Sequence, residues 1–420
     1  MTRSTRSASI LTTACVLGLL ALAPRELASQ ARAGDVQVVA TILNVDAAKH
    51  RLRVNALGQP RPVAVASDAR ILDAEGQPLD GGLQAPELTA GTEVTLTLSQ
   101  VDGALTVTVL RLGRHVAEQR MARGPTIGLE PLTELGAGER YAGEDGGLYG
   151  GGRNAPPAAH LAAAKTATIA IKPLDAKGQP AEDGAIGLIS ISMSNATMEF
   201  STFKEMADRD PRKSSRVVIV DCAQGGQAMA QWVDPGGSPW LQADRRLAAA
   251  NISPAQVQVA WIKLANIAPT GDLQGHGRKL YDDTLLVLRN AGRRFPNLRI
   301  AYLGSRIFAG YATGGLNPEP YAYEGAFVVR WLIRDQMNGA AGLRHDNGAG
   351  PMPLLLWGPY LWSDGTTPRQ SDGLIWERSD LAGDGTHPSE GGRRKVANLL
   401  LAFFTTDQLA KTWFTAARRQ

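Results

Sequence analysis

Asp384-Gly385-Thr386-His387-Pro388 sets a carboxylate three residues ahead of an imidazole, on a turn that leads into an amphipathic pattern from Arg393 to Phe404. A histidine serves as a general base only when its tautomer is fixed, and an Asp that accepts from Nδ1–H fixes it while stabilising the imidazolium. The same residues also make an ordinary turn, with Asp384 bonding its own backbone and Pro388 opening a helix. A metal centre is disfavoured, because His276 and His345 stand far from His387 without ligand spacing. The pair therefore takes its meaning from the nucleophile and the oxyanion donors that precede it.

Three apolar runs upstream each end in a residue that acyl transfer uses. Ala185 to Ile191 ends in Ser192-Met193-Ser194-Asn195 and passes directly into a helical pattern through Phe200 and Phe203. A serine at such a corner exposes its Oγ and lends its own N–H to an oxyanion. Val217 to Val220 ends in Asp221-Cys222-Ala223-Gln224-Gly225-Gly226-Gln227, where a glycine lets a bare N–H approach a substrate. Val257 to Ile262 ends in Lys263-Leu264-Ala265-Asn266, whose amide is a neutral donor. Each has a structural alternative. Ser194 can cap its helix, Ser192 competes with it as the reactive hydroxyl, Asn266 can close a turn, and Gly226 can supply a positive φ. Arg306 follows the fourth run, Leu298 to Leu303, and is a candidate substrate contact, whereas Lys263 and Glu324 read as surface charge. Trp362 and Trp376 lie among Ser, Asp, Gly and Pro beyond the fifth run, Leu354 to Trp357. That is loop composition, and it predicts flat aromatic faces offered to a sugar ring.

The elements that must position these residues are legible in the same runs. Apolar strands buried on both faces, alternating with helical patterns such as Phe327/Val328/Trp331/Leu332, predict an α/β domain over 181–420 with a doubly wound parallel sheet. Ligand sites in that architecture sit beyond the carboxyl ends of the strands. Residues 34–115 carry short alternating β-branched runs separated by Gly and Asp turns, which predict a small antiparallel barrel or sandwich serving as a packing, attachment or spacer module. It contains no Phe, Tyr or Trp, so it lacks the stacking platform of a nucleic-acid-binding barrel. Residues 116–180 are rich in Gly and Pro and read as a linker draping over the next domain. They lack the strand and the Gly-Lys-Ser/Thr ending of a phosphate loop, which excludes a nucleotide-binding module.

Residues 1–33 have the form of a secretory signal: Arg3 and Arg6, an apolar run from Ala8 to Ala23, and Ala31-Arg32-Ala33 as a cleavage site. They predict a periplasmic or extracellular protein with no transmembrane segment once the signal is removed. Cys15 sits inside the apolar run as a poor lipobox, and its removal leaves Cys222 without a disulfide partner. With 44 basic and 40 acidic residues, the net charge of +4 is too small to argue for nucleic acid.

In order and in strand-end placement, these blocks resemble the SGNH hydrolases, the GDSL-like esterases, lipases and carbohydrate deacetylases, over roughly Ile186 to Phe404. The resemblance implies a five-stranded flavodoxin-like sheet. Ser194 falls at the nucleophile, Gly226 and Asn266 at the oxyanion glycine and asparagine, and Asp384 and His387 at the acid–base pair. It implies no cofactor and no metal. Two family carboxylates are missing: Gly-Asp-Ser is here Ser192-Met193-Ser194, and G-x-N-D is Leu264-Ala265-Asn266-Ile267. The expected function is an exported serine esterase that removes short acyl groups from a small-molecule or carbohydrate ester. The alternative is a non-catalytic envelope or glycan-binding protein built on a decayed hydrolase domain.

Overall fold

A computed structural model describes residues 36–56, 59–101, 104–113, 126–345 and 352–416, and these fall in one compact unit. The signal-like residues 1–33 lie outside the described residues. Among the described residues, no helix is long and apolar enough to cross a membrane.

The N-terminal strands β1 (Val36–Asp46), β2 (Arg51–Ala56), β3 (Gln59–Leu72), β4 (Glu93–Val101) and β5 (Ala104–Leu112) close into a barrel in the order β1-β2-β3-β5-β4. Burial in β2 alternates strictly, with Leu52, Val54 and Ala56 inside, as a half-buried strand requires. Ile42, Val94, Val107 and Leu110 complete a core separate from that of the α/β domain. The barrel departs from the antiparallel expectation in one place. β3 and β5 pair in parallel, because β4 turns back to pair with β1 and the sheet closes only when β5 lies beside β3.

The second sheet contains β6 (Ile186–Ile191), β7 (Val217–Val220), β8 (Val257–Lys263), β9 (Ile300–Gly304) and β10 (Leu354–Trp357), in the order β10-β9-β8-β6-β7. Every pairing is parallel. All of β6, β8, β9 and β10 is buried, which explains why these strands read as unbroken apolar runs. The order reverses between β6 and β8, and a crevice opens beyond the carboxyl ends of strands at such a switch point. Helices α2 (Ser194–Arg209), α3 (Ser238–Ala249), α4 (Leu273–Arg294), α5 (Tyr321–Met337) and α6 (Glu390–Thr406) flank the sheet. Phe203 of α2 stacks on Phe404 of α6 at 5.4 Å, and Phe404 on Phe414 at 5.2 Å, so the segments that carry Ser194 and His387 share one packed layer.

Residues 126–180 are more than a linker. Helix α1 (Ala158–Ile169) contributes Ala164 and Ala167 to the α/β core, together with Leu132 and Tyr149. Buried Arg330 of α5 reaches Glu144 at 2.6 Å, and Trp357 Nε1 donates to Leu148 O at 2.8 Å. Some of the glycines that give this stretch its linker composition serve tight packing. Gly147 has φ +81°, and a Cβ there would stand 2.3 Å from Arg153 N.

Candidate active site

Ser194 is the first residue of α2, directly after β6. Its Oγ lies 2.7 Å from His387 Nε2, and His387 Nδ1 lies 2.5 Å from Asp384 Oδ2. Sequence-distant residues thus form one relay from hydroxyl through imidazole to carboxylate. The corner before Ser194 is strained: Ser192 has φ +152°, a conformation rare for L side chains. Ser192 is fully buried and its Oγ donates to Lys263 O, so this hydroxyl is committed to joining β6 and β8. The histidine turn is equally constrained. Asp384 Oδ1 accepts from the N–H groups of Thr386 and His387, both at 3.0 Å. Gly385 has φ +63°, and a Cβ there would fall 1.8 Å from Tyr311 O. Thr386 O accepts from Asn195 Nδ2 at 2.9 Å and from Arg306 Nη2 at 3.2 Å, which clamps the turn to α2 and to the segment after β9.

Burial pushes the Asp384 carboxyl up, but the His387 hydrogen bond, its charge and the two N–H donors outweigh burial and bring it down to about 2. Beneath the relay, Lys263 Nζ meets both Glu199 oxygens at 2.7 and 2.5 Å, with both side chains at 0% exposure. Burial lowers the Lys263 ammonium and raises the Glu199 carboxyl, and each opposes the other's shift through the ion pair. Lys263 is therefore an internal tie and not the surface charge expected of it. Glu324 is likewise internal: it is 4% exposed, takes the Tyr141 hydroxyl at 2.7 Å and contacts His276 Nε2.

Ser194, Gly226, Asn266, Arg306 and His387 line one cavity of about 160 Å³. Gly226 has φ +76°. Neither its N–H nor that of Ser194 is given to an acceptor among the described residues. Asn266 is held at both ends. Its Oδ1 accepts from Ala230 N at 3.0 Å, and its Nδ2 donates to Asp283 Oδ2 at 2.7 Å, which leaves the second amide proton free for a ligand. Arg306 is 3% exposed, and its Nε has no partner among the described residues. The far wall of the cavity comes from the barrel, through Val38, Val54, Ala56, Val63, Leu96 and Leu98.

Trp362 and Trp376 do not reach this cavity. Both are fully buried. Trp362 Nε1 donates to Glu319 Oε1 at 2.8 Å and its ring packs 4.7 Å from Tyr323; Trp376 Nε1 donates to Leu361 O at 2.9 Å. Loop composition misplaced them, because an indole whose N–H finds an internal acceptor is stable in a core whatever its neighbours in sequence. Asn195 and Asp283 are the site residues that sequence reasoning missed. Asn195 adjoins the serine, and its type alone gave no sign of the distant carbonyl it bonds; Asp283 lies within α4, where no motif marks it.

No family model matches the sequence, and no curated protein matches it. Among solved structures, the chain is similar to a Bacteroides fragilis protein described as an acylhydrolase, at 12% identity and TM-score 0.32, covering 61% of this chain and 100% of that one. It is also similar to the periplasmic domain of a lipopolysaccharide acetyltransferase from Salmonella ser. Paratyphi A, at 13% identity and TM-score 0.29, covering 52% and 82%. A third likeness is to CusF from Escherichia coli, at 8% identity and TM-score 0.15, covering 21% and 100%. At these TM-scores, the geometry of the site alone carries the functional reading.

Proposed function

We propose that this chain is an exported serine ester hydrolase of SGNH type that works through an acyl-enzyme. The observation that carries the reading is the continuous Ser194–His387–Asp384 hydrogen-bond chain, at 2.7 and 2.5 Å, at the edge of a cavity. His387 Nε2 takes the Ser194 proton as Oγ attacks the ester carbonyl, and Asp384 holds the imidazole and stabilises its cation. The oxyanion receives the N–H groups of Ser194 and Gly226 and the free Asn266 amide proton. His387 then returns its proton to the departing alcohol, and water releases the acyl group by the same steps. Arg306 is the proposed contact to the alcohol side.

The expectation of a sugar alcohol rests on Trp362 and Trp376, and with both rings buried it loses its physical basis. Among the described residues, the cavity lining contains no Trp, Tyr or Phe. Turnover of an activated ester tests the proposal. Ser194→Ala is expected to lower kcat by about 10⁴-fold or more, and Asn266→Ala by about 10²–10³-fold. Wild-type rates in both variants contradict the assignment.

A further inference from the structure

We propose that the open end of the N-terminal barrel is the acyl pocket of this active site and selects a straight aliphatic chain of up to about six carbons. The proposal rests on the ester-hydrolase reading and adds the substrate class. On the α/β side, Met193, Ala228 and Ala265 form a small apolar cluster with Ile267, apart from the main core. All four line the cavity next to Ser194 and Asn266. Opposite them stand residues of the barrel's inward face. Val38 pairs with Leu96, Ala40 with Ala56, and Leu52 with Val63, so side chains of β1 to β4 converge at one mouth. The nucleophile therefore opens onto an apolar chamber made by two separate sheets.

Met193 and Ile267 occupy the two positions where the resembling family carries carboxylates. Both side chains line the cavity together with the barrel's aliphatic residues. Arg61 fixes the two parts together. It pairs with Val54 at the mouth and donates from Nη1 to Gly225 O at 3.2 Å, beside the Gly226 N–H proposed for the oxyanion.

The volume bounds the chain length. A cavity of about 160 Å³ is on the scale of an apolar cavity of roughly 150 Å³ that takes up benzene, a six-carbon ligand. The same space also holds the ester group beside Ser194, Asn266 and Arg306, so about six carbons is the upper limit for the acyl chain. Each methylene buried in the pocket is expected to raise kcat/KM about fourfold, the factor that follows from CH₂ transfer out of water.

The test uses the full chain and p-nitrophenyl esters from acetate to dodecanoate. The expected wild-type profile climbs about fourfold per methylene to a maximum above acetate and no longer than about hexanoate, and then falls. Ala56→Phe fills the mouth and is expected to lower the hexanoate-to-acetate ratio by about tenfold or more. Leu98→Ala opens it and is expected to move the maximum to longer chains. Thermal melts accompany each variant, and Leu98→Ala decides if Ala56→Phe does not fold. Ser194-dependent turnover with a flat chain-length profile, or with ratios unmoved in the folded variants, overturns the acyl pocket and leaves the hydrolase reading standing. Loss of both requires that no ester is turned over in a Ser194-dependent way.

Discussion

Ser194 and Ser192 differ by two positions in sequence and entirely in freedom: one hydroxyl faces His387 at 2.7 Å, the other is buried against Lys263 O. The sequence left these two open because either fits a strand-to-helix corner, and only the strand partner across β8 separates them. The D-x-x-H pair was legible because its contacts are local, within three residues. Asn195 and Asp283 were not, since their bonds cross 191 and 17 residues. Asp283→Ala is expected to lower kcat about tenfold with little change in KM, as suits the loss of one charge-assisted hydrogen bond that orients Asn266. Asp283→Asn, which keeps an acceptor oxygen, is expected to recover most of that loss; equal loss in both variants points to a packing role instead. Asp384 also predicts a pH effect on stability. Its carboxyl sits near 2 in the folded chain against an ordinary 3.8, so as pH falls the unfolded chain binds the proton first. The stability it contributes is complete above about pH 4 and is lost as pH falls towards about 2. Urea unfolding from pH 5 to 2 is expected to show a steeper decline for wild type than for Asp384→Asn; parallel declines contradict the depressed carboxyl.

The buried Lys263–Glu199 pair at 2.5 Å ties β8 to α2. A lysine at a strand end reads as surface charge, because nothing local announces the carboxylate 64 residues away. Lys263→Met is expected to cost about 3–5 kcal/mol by leaving Glu199 buried and unpaired, and adding Glu199→Leu is expected to restore most of it. Chemical denaturation of the single and double variants measures this, and a double variant no better than the single contradicts the pairing. The strands themselves were legible because burial on both faces leaves an unmistakable apolar run. The segment 126–157 was not, since its glycines look like linker residues until Gly147 is seen packed against Arg153. Trp362 and Trp376 misled for the mirror reason: polar neighbours along the chain hid a core position.

At the scale of the whole molecule, a closed barrel and a flavodoxin-ordered sheet share a cavity. The parallel sheet follows from the alternation of strands and helices, its flavodoxin-like order was implied by the family resemblance, and the barrel follows from its short alternating runs. What the barrel does was not readable, because an inward Val or Leu at a barrel mouth looks like any other core residue until the facing wall is known. Export belongs to this scale as well. The exported protein is expected to begin near Gly34 by N-terminal sequencing, and recovery of only the intact Met1 form from the cytoplasm contradicts export. The proposed chemistry stands on Ser194 as the nucleophile. Reaction of the full chain with a fluorophosphonate, followed by mass mapping of the adduct, reads this out without any assumption about the substrate. One adduct is expected on Ser194, present in Ser192→Ala and absent in Ser194→Ala and His387→Ala; an unlabelled protein, or an adduct that survives Ser194→Ala, rules out the assignment.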